Sequence, residues 1–314
     1  MFRSITKNIK QFTNLFNKTT IWCKVTLFII LLLLCTTIVN KNRIEVEAFT
    51  QSKKFVVKNN NTLYDDFYCS IYDDLVYDDK KNDFEVTNID RIAKITKNSN
   101  ILDIGCGKGH HVKHYTVSGN KIQGIDKSTA MIKCARKKYP ECKFVNDDVL
   151  KSMTYKSNTF THALALYFTL YYIEDKHLFF KNVYDWLKPG GILVVHLANR
   201  DKFDPIINAA DPLVMVSAQK YAKKRITNSN VKFKDFTYKA NFQHENGSNK
   251  ANFTETFTDD STQHVRQNEH TLHMEKQRDI LSKAKKVGFI LKGKIEMTTV
   301  MYEYQYLYFL QKPE

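Results

Sequence analysis

The chain has 314 residues, enough for one large α/β domain and an appendage. Its 48 Lys and Arg against 33 Asp and Glu leave a net charge of +15, a balance that suits polyanions, but the lysines are scattered among asparagines without a dense basic block interleaved with aromatics, as on a solvated basic surface. The six cysteines form no CxxC pair and no evenly spaced set, so neither a zinc site nor a disulfide framework is expected.

Residues 1–50 read as a tail around the uncharged apolar run Val25–Val39, VTLFIILLLLCTTIV, preceded by Arg3, Lys7, Lys10, Lys18 and Lys24. Counted from Ile21, with Lys24 snorkelling to the interface, 19 residues at about 1.5 Å each nearly match a bilayer's hydrocarbon core. A single membrane anchor is expected, and a cleaved signal segment is the alternative. The basic N-terminus places itself in the cytosol, whereas Lys41, Arg43, Lys53 and Lys54 weaken that bias and sequons at Asn60, Asn246 and Asn252 suit a lumenal domain. The side of the membrane stays open.

Residues 51–61 are polar and read as a linker, after which residues 62–314 form the main domain. Tyr64–Tyr77 alternates acids with aromatics as an amphipathic helix does, and Asn88–Thr96 suggests a second, short helix. Strands are expected at Ile101–Ile104, Lys121–Ile125, Cys142–Asn146, Thr161–Leu166 and Gly191–Leu197, with helices starting near His110, Ser128 and Lys176. Such alternation implies βαβ units around a parallel sheet. Within residues 206–274 the texture changes to short alternating runs from Val231 onward, an antiparallel insertion or lid. A helix from Met274 to Val287, stopped by Gly288, and two strands, Phe289–Met297 and Tyr302–Leu310, finish the chain.

The stretch Ile101-Leu-Asp-Ile-Gly-Cys-Gly-Lys-Gly109 runs from a strand into glycines that let the backbone turn tightly and approach a ligand. Asp126 ends the next strand in GID, where a carboxylate can accept from both ribose hydroxyls of a nucleoside. The glycines at 105, 107 and 109 spell GxGxG, not the GxGxxG of a dinucleotide fingerprint, which sets an NAD-dependent oxidoreductase aside.

The ordered set LDIGCGKG, GID, Asp147-Asp148 and LKPGG resembles the class I S-adenosylmethionine-dependent methyltransferases over roughly Tyr64–Leu197. The resemblance implies a Rossmann-like α/β fold with a mostly parallel seven-stranded sheet, the antiparallel insertion, a separate N-terminal hydrophobic helix and S-adenosylmethionine as cofactor. By position, Gly105, Cys106 and Gly107 would line the methionine moiety, with Gly109 also in the cofactor site, Asp103 would position that moiety through water or its amino group, and Asp126 would hold the ribose. Lys127 and Met131 would flank the adenine, with Asp148 and Val149 at its edge. The fourth strand departs from the family in opening Phe160-Thr161 where Phe-Asp is usual.

Acceptor chemistry in this family sits near Ala165–Tyr172, where Tyr167, Tyr171 and Tyr172 can close around a substrate or simply pack as core. His196 at the end of the fifth strand is the first candidate base, with Tyr68 and Tyr72 as others. Asn199 and Arg200, with Arg266 and His270 on the expected lid, would suit a carboxylate or phosphate. Neither a D/N-P-P-Y/F motif nor a Pro-Cys nucleophile follows the fourth strand, so a nucleic-acid acceptor is not favoured. The expected activity is in-line methyl transfer to a small molecule or protein side chain; the alternative is a catalytically silent, membrane-tethered interaction module.

Overall fold

The computed structural model describes residues 19–26, 28–30, 51–60, 62–206, 219, 222–245 and 247–314. Residues 21–26 and 28–30 are helical, but residues 31–39 of the apolar run lie outside the described residues. No helix among the described residues is long and apolar enough to cross a membrane, so the expected membrane anchor and separate hydrophobic helix find no support in the structure. Asn246 and residues 207–218, the opening of the expected insertion, also lie outside.

From Gln51 onward the described residues form one compact unit. Its elements are β1 (Phe55–Asn59), α1 (Asp66–Val76), α2 (Asp79–Ala93), β2 (Asn100–Ile104), α3 (His110–Val117), β3 (Lys121–Asp126), α4 (Thr129–Lys138), β4 (Phe144–Asn146), β5 (Phe160–Ala165), α5 (Lys176–Trp186) and β6 (Leu187–Ala198). There follow β7 (Asn228–Lys232), β8 (Phe236–His244), β9 (Lys250–Asp259), β10 (Val265–His273), α6 (Gln277–Val287), β11 (Ile290–Met297) and β12 (Tyr302–Gln311). Side-chain caps begin α1, α4 and α5: Asp65 accepts from the Tyr68 N–H, Ser128 from that of Met131 and Asp175 from that of Leu178. Gly288 stops α6 in the left-handed region, φ 119°.

The seven-stranded sheet runs β11-β12-β6-β5-β2-β3-β4, parallel from β4 through β6 and antiparallel at β12 and β11. Its strands are apolar on both faces because both are covered. Leu102, Ala163, Ala165, Leu193 and Val195 pack toward α5 and α6, while Ile101, Leu164 and Val194 pack toward α2, α3 and α4.

The second sheet, β1-β10-β9-β8-β7, is antiparallel except at β1. There the expected linker is corrected. Residues 55–59 add a parallel edge strand to β10, in register from Phe55 with Val265 to Asn59 with Glu269. Phe55 and Val57 stay exposed, so backbone pairing and not side-chain burial holds this strand. The second helix is also longer than expected, since Asp78 caps it a full ten residues before Asn88. The cysteine reading is corrected as well. Cys69 of α1 and Cys134 of α4 form a disulfide, and a lone pair so distant in sequence leaves no spacing signature.

Candidate active site

The parallel strands β2, β3 and β5 end on one edge of the sheet, where open α/β sheets bind ligands. The turn after β2 is tied to β3, with the N–H groups of Gly105 and Cys106 donating to the Ile125 carbonyl at 2.8 and 3.2 Å. Asp126, one residue on, accepts from the Gly107 N–H on Oδ2 (3.0 Å) and from the Ser128 N–H on Oδ1 (2.8 Å). Each oxygen keeps a further lone pair. Burial raises the Asp126 carboxyl above its ordinary range while those two N–H groups pull it back. Burial likewise pushes Asp103 up to about 6.

A cavity of about 940 Å³ opens from this edge. Asp103, Gly105, Cys106, Gly107, Asp126, Lys127, Met131, Asp148 and Val149 all line it. Asp147 lines it too, its carboxylate held by Lys151 and Thr154. The glycines divide their work. A Cβ on Gly107 would meet nothing nearer than the Tyr72 ring at 4.0 Å, whereas one on Gly109 would strike the Phe144 ring at 2.5 Å. Gly109 is therefore a packing residue under the turn and not part of the cavity wall. Gly105 is wall and packing together, since its Cβ would fall 2.5 Å from the Thr169 hydroxyl.

The cavity continues to the inner face of the second sheet. There the structure gathers Tyr68, Tyr72, Tyr167 and His270 with Tyr64, Tyr172 and Glu255. The Tyr64 ring lies edge-on to Tyr68, Tyr72 and Tyr172 at 5.4, 6.4 and 5.8 Å. Behind them Glu255, 1% exposed, accepts from His270 Nε2 at 2.8 Å and from the Tyr238 hydroxyl at 2.9 Å. Burial raises the Glu255 carboxyl, but His270 and the tyrosine hydroxyls outweigh it and hold the group below its ordinary value. His270 Nδ1 in turn meets the Tyr172 hydroxyl at 2.6 Å. Glu255 and Tyr64 escaped the sequence reading; the alternation of β9, which turns Glu255 inward beside Phe253 and Phe257, was the available signal.

Several expected substrate contacts point elsewhere. His196 is 1% exposed beneath Tyr167 and Phe168, and neither ring nitrogen makes a hydrogen bond of good geometry, the neighbouring Gln305 amide included. Burial brings its pKa to about 4, and it does not line the cavity, so it is not the base. The Tyr171 hydroxyl is spent on both backbone groups of Ala198. Arg200 donates to Asn249 and the Met274 carbonyl. Arg266 binds Asp65, the Leu63 carbonyl and Asn268 over the Phe67 ring. Asn199 accepts from the Asp201 N–H. These four brace the fold and are absent from the cavity wall.

A buried ion cluster beside the glycine turn also went unread. Glu85, fully buried, takes Lys81 and His111 at 3.1 Å each on Oε2. Burial raises its pKa, but those two partners bring it down to about 2.

Residues 102–195 match the family described as "Methyltransferase domain". Over 99 residues the chain is 31% identical to trans-aconitate 2-methyltransferase of Escherichia fergusonii, a match covering 31% of this chain and 38% of that protein. The chain thus spans about two fifths of the length of the curated relatives it matches. In fold it is similar to an S-adenosylmethionine-dependent methyltransferase from Clostridium acetobutylicum (TM-score 0.60, 17% identity, 79% of this chain and 98% of that one). The CcbJ methyltransferase of Streptomyces caelestis gives a TM-score of 0.63 at 14% identity, over 81% of this chain and all (100%) of that one. The amino pentose methyltransferase CalS10 of Micromonospora echinaspora, solved with S-adenosylmethionine bound, gives 0.53 at 16% identity, over 74% and 91%. Residues 102–195 thus match a methyltransferase domain on the fold that class I S-adenosylmethionine-dependent methyltransferases share, and S-adenosylmethionine is the cofactor such a domain takes.

Proposed function

We propose that the chain transfers a methyl group from S-adenosylmethionine to a small-molecule acceptor held in the tyrosine-lined half of the cavity. The observation that carries this is the continuity of one cavity from the Asp126 ledge to Glu255 and His270. Donor and acceptor can then share a single desolvated space. At about 940 Å³ the cavity lies in the range of small-molecule sites.

The residues present fit the cofactor. Asp126 retains lone pairs for two ribose hydroxyls, Gly107 leaves its backbone face open, and Asp103 is a buried acid facing the same space. Asp148, with Val149 beside it, completes the far end. Bound there, S-adenosylmethionine supplies an electrophilic methyl group on a positively charged sulfur. The protein's own part is to orient the acceptor, exclude water and take its proton. Tyr64, Tyr68, Tyr72, Tyr167 and Tyr172 wall the acceptor half, and Tyr172 backed by His270 offers a proton route.

The silent, membrane-tethered alternative draws no support: the hydrogen-bonded chain from Glu255 to Tyr172 lies ready for chemistry, and no described helix crosses a membrane. Calorimetric titration of the full chain with S-adenosylhomocysteine, beside Asp126→Ala, tests the cofactor half. Loss of two hydrogen bonds to a charged group, about 1.5–3 kcal/mol each, weakens binding by about a hundredfold or more. A folded chain that binds neither S-adenosylhomocysteine nor S-adenosylmethionine would remove the enzyme reading.

A further inference from the structure

The acceptor half contains a built device whose parts face one another across three elements. Glu255 comes from β9, His270 from β10 and Tyr172 from the 3-10 turn after β5, residues 169–172. Glu255 and His270 are 1% and 2% exposed. Asn268 and Tyr238 add hydrogen bonds to the same carboxylate. Lys176, itself buried, pins the assembly from behind: its ammonium donates to the carbonyls of Ile173 and His273 at 2.8 Å each, joining the start of α5 to the end of β10.

The hydrogen-bond directions follow from this network. With a neutral imidazole, Glu255 accepts the Nε2–H, so Nδ1 is left as an acceptor and the Tyr172 hydroxyl donates to it. The Tyr64 hydroxyl donates to Tyr172 Oη, so one Oη lone pair remains for a donor in the cavity. A donor bound there would sit among the rings of Tyr64, Tyr68 and Tyr72, whose faces favour positive charge. A carboxylate or phosphate acceptor is served less well, because Arg200 and Arg266 are bound elsewhere, no arginine among the described residues lines the cavity, and of its lysines Lys81 and Lys108 are paired with Glu85 and Asp73 while Lys127 stands at the Asp126 ledge.

We propose that the acceptor is an amine, recognised as its ammonium by the tyrosine cage in front of Glu255 and relieved of a proton through Tyr172 and His270. This deepens the methyltransferase reading and rests on it. The ammonium N–H gives its proton to Tyr172 Oη as the tyrosine proton passes to His270 Nδ1, leaving an imidazolium paired with Glu255. The freed nitrogen lone pair forms the bond to the methyl carbon, the carbon–sulfur bond breaks with its electrons retained on sulfur, and a methylated ammonium and a neutral thioether result. The proton then returns to solvent, restoring the neutral imidazole. Tyr172 is the group that touches substrate, and Glu255 is a positioning residue that acts through His270.

Three probes of one carbon skeleton test this on the full chain saturated with S-adenosylhomocysteine: cyclohexylamine, cyclohexanol and cyclohexanecarboxylate. Calorimetry is expected to show the amine binding about tenfold or more tightly than the other two, as a hydrogen bond to a charged group predicts. Glu255→Gln, which keeps shape and removes charge, is expected to bring the three within about threefold of one another. Tyr172→Phe, a milder change that still binds S-adenosylhomocysteine if folded, is expected to weaken the amine about tenfold. An alcohol or carboxylate that binds as well as the amine, no amine binding beside intact S-adenosylhomocysteine binding, or an amine preference that survives both variants overturns the proposal. Absence of S-adenosylhomocysteine binding in the unmodified chain would instead overturn the methyltransferase reading beneath it.

Discussion

Gly107→Ala and Gly109→Ala change the same atom at two positions two residues apart, yet the structure assigns them different consequences. Both residues hold a left-handed backbone, φ 53° and 82°, so each alanine meets the same steric penalty of about 1–2 kcal/mol. At Gly109 the new Cβ also strikes two atoms of the Phe144 ring at 2.5 Å and reaches Ala135 at 3.5 Å. Phe144 is a core residue between α3 and α4, so it cannot swing into solvent, and overpacking adds about 1–3 kcal/mol. The expected loss is thus about 2–5 kcal/mol at Gly109 and about 1–2 kcal/mol at Gly107. For a domain of this size each kcal/mol lowers Tm by about 2–4 °C. Differential scanning fluorimetry of the full chain with and without S-adenosylmethionine separates the two roles. Gly109→Ala should show the larger drop in Tm and keep the cofactor-induced rise of whatever remains folded. Gly107→Ala should show the smaller drop and lose most of that rise, because its methyl projects into the cavity. The opposite ranking, or a Gly107→Ala chain stabilised by cofactor as fully as the parent, would refute the division.

Buried titrating groups each shift stability in their own pH window, and the loss from His196 runs against a gain from Asp103, whose carboxyl is raised to about 6 and so favours the folded state as pH falls through that value. Burial lowers His196 from 6.5 to about 4, so the unfolded state takes a proton first and roughly 3 kcal/mol is lost as pH falls from about 6.5 to 4. Glu85, held at about 2 against 4.5, keeps its contribution above pH 4.5 and loses a similar amount, roughly 3 kcal/mol, as pH falls toward 2. Urea midpoints for His196→Leu should lack the first of these losses, and an unchanged slope between pH 6.5 and 4 would show that the imidazole is not buried neutral. Asp103, raised to about 6 by burial, should ionise when it receives the cofactor's amino group. Calorimetry in buffers of different ionisation enthalpy should then show proton release near pH 6 and affinity falling below it, and Asp103→Asn should abolish both. Finally, with Cys69 and Cys134 bonded, Cys23, Cys106 and Cys142 among the described cysteines should react with a thiol reagent in denaturant without reductant while Cys69 and Cys134 should not; reduction should destabilise the domain by up to about 4 kcal/mol, the loop-closure value for a separation of 65 residues. Six reactive thiols would contradict the bond.

The glycine turn, Asp126, the succession of strands and helices along the chain and the two closing strands were legible because each is local: a strand, its turn and the next helix are written within some thirty residues. Local signals also fixed the capped helices, where Asp65, Ser128 and Asp175 sit just ahead of the first turn. For the acceptor half the sequence offered Tyr68, Tyr72, Tyr167, Tyr172 and His270 one by one but not their gathering with Tyr64 and Glu255, since these residues lie on and just before α1, in the turn after β5 and on β9 and β10, and meet only through packing. Nothing in the neighbourhood of Arg266 in the sequence says that its guanidinium turns back to Asp65 and Leu63, nor does the end of β6 say that His196 faces the core. Residues 55–59 became a strand because β10 offered an open edge, a fact about the second sheet and not about those residues. Chemistry held by one turn of chain was therefore determined by sequence alone, whereas chemistry assembled from distant strands was decided by tertiary structure, because sheet pairing and burial choose which of several similar tyrosines, arginines and histidines face a common cavity.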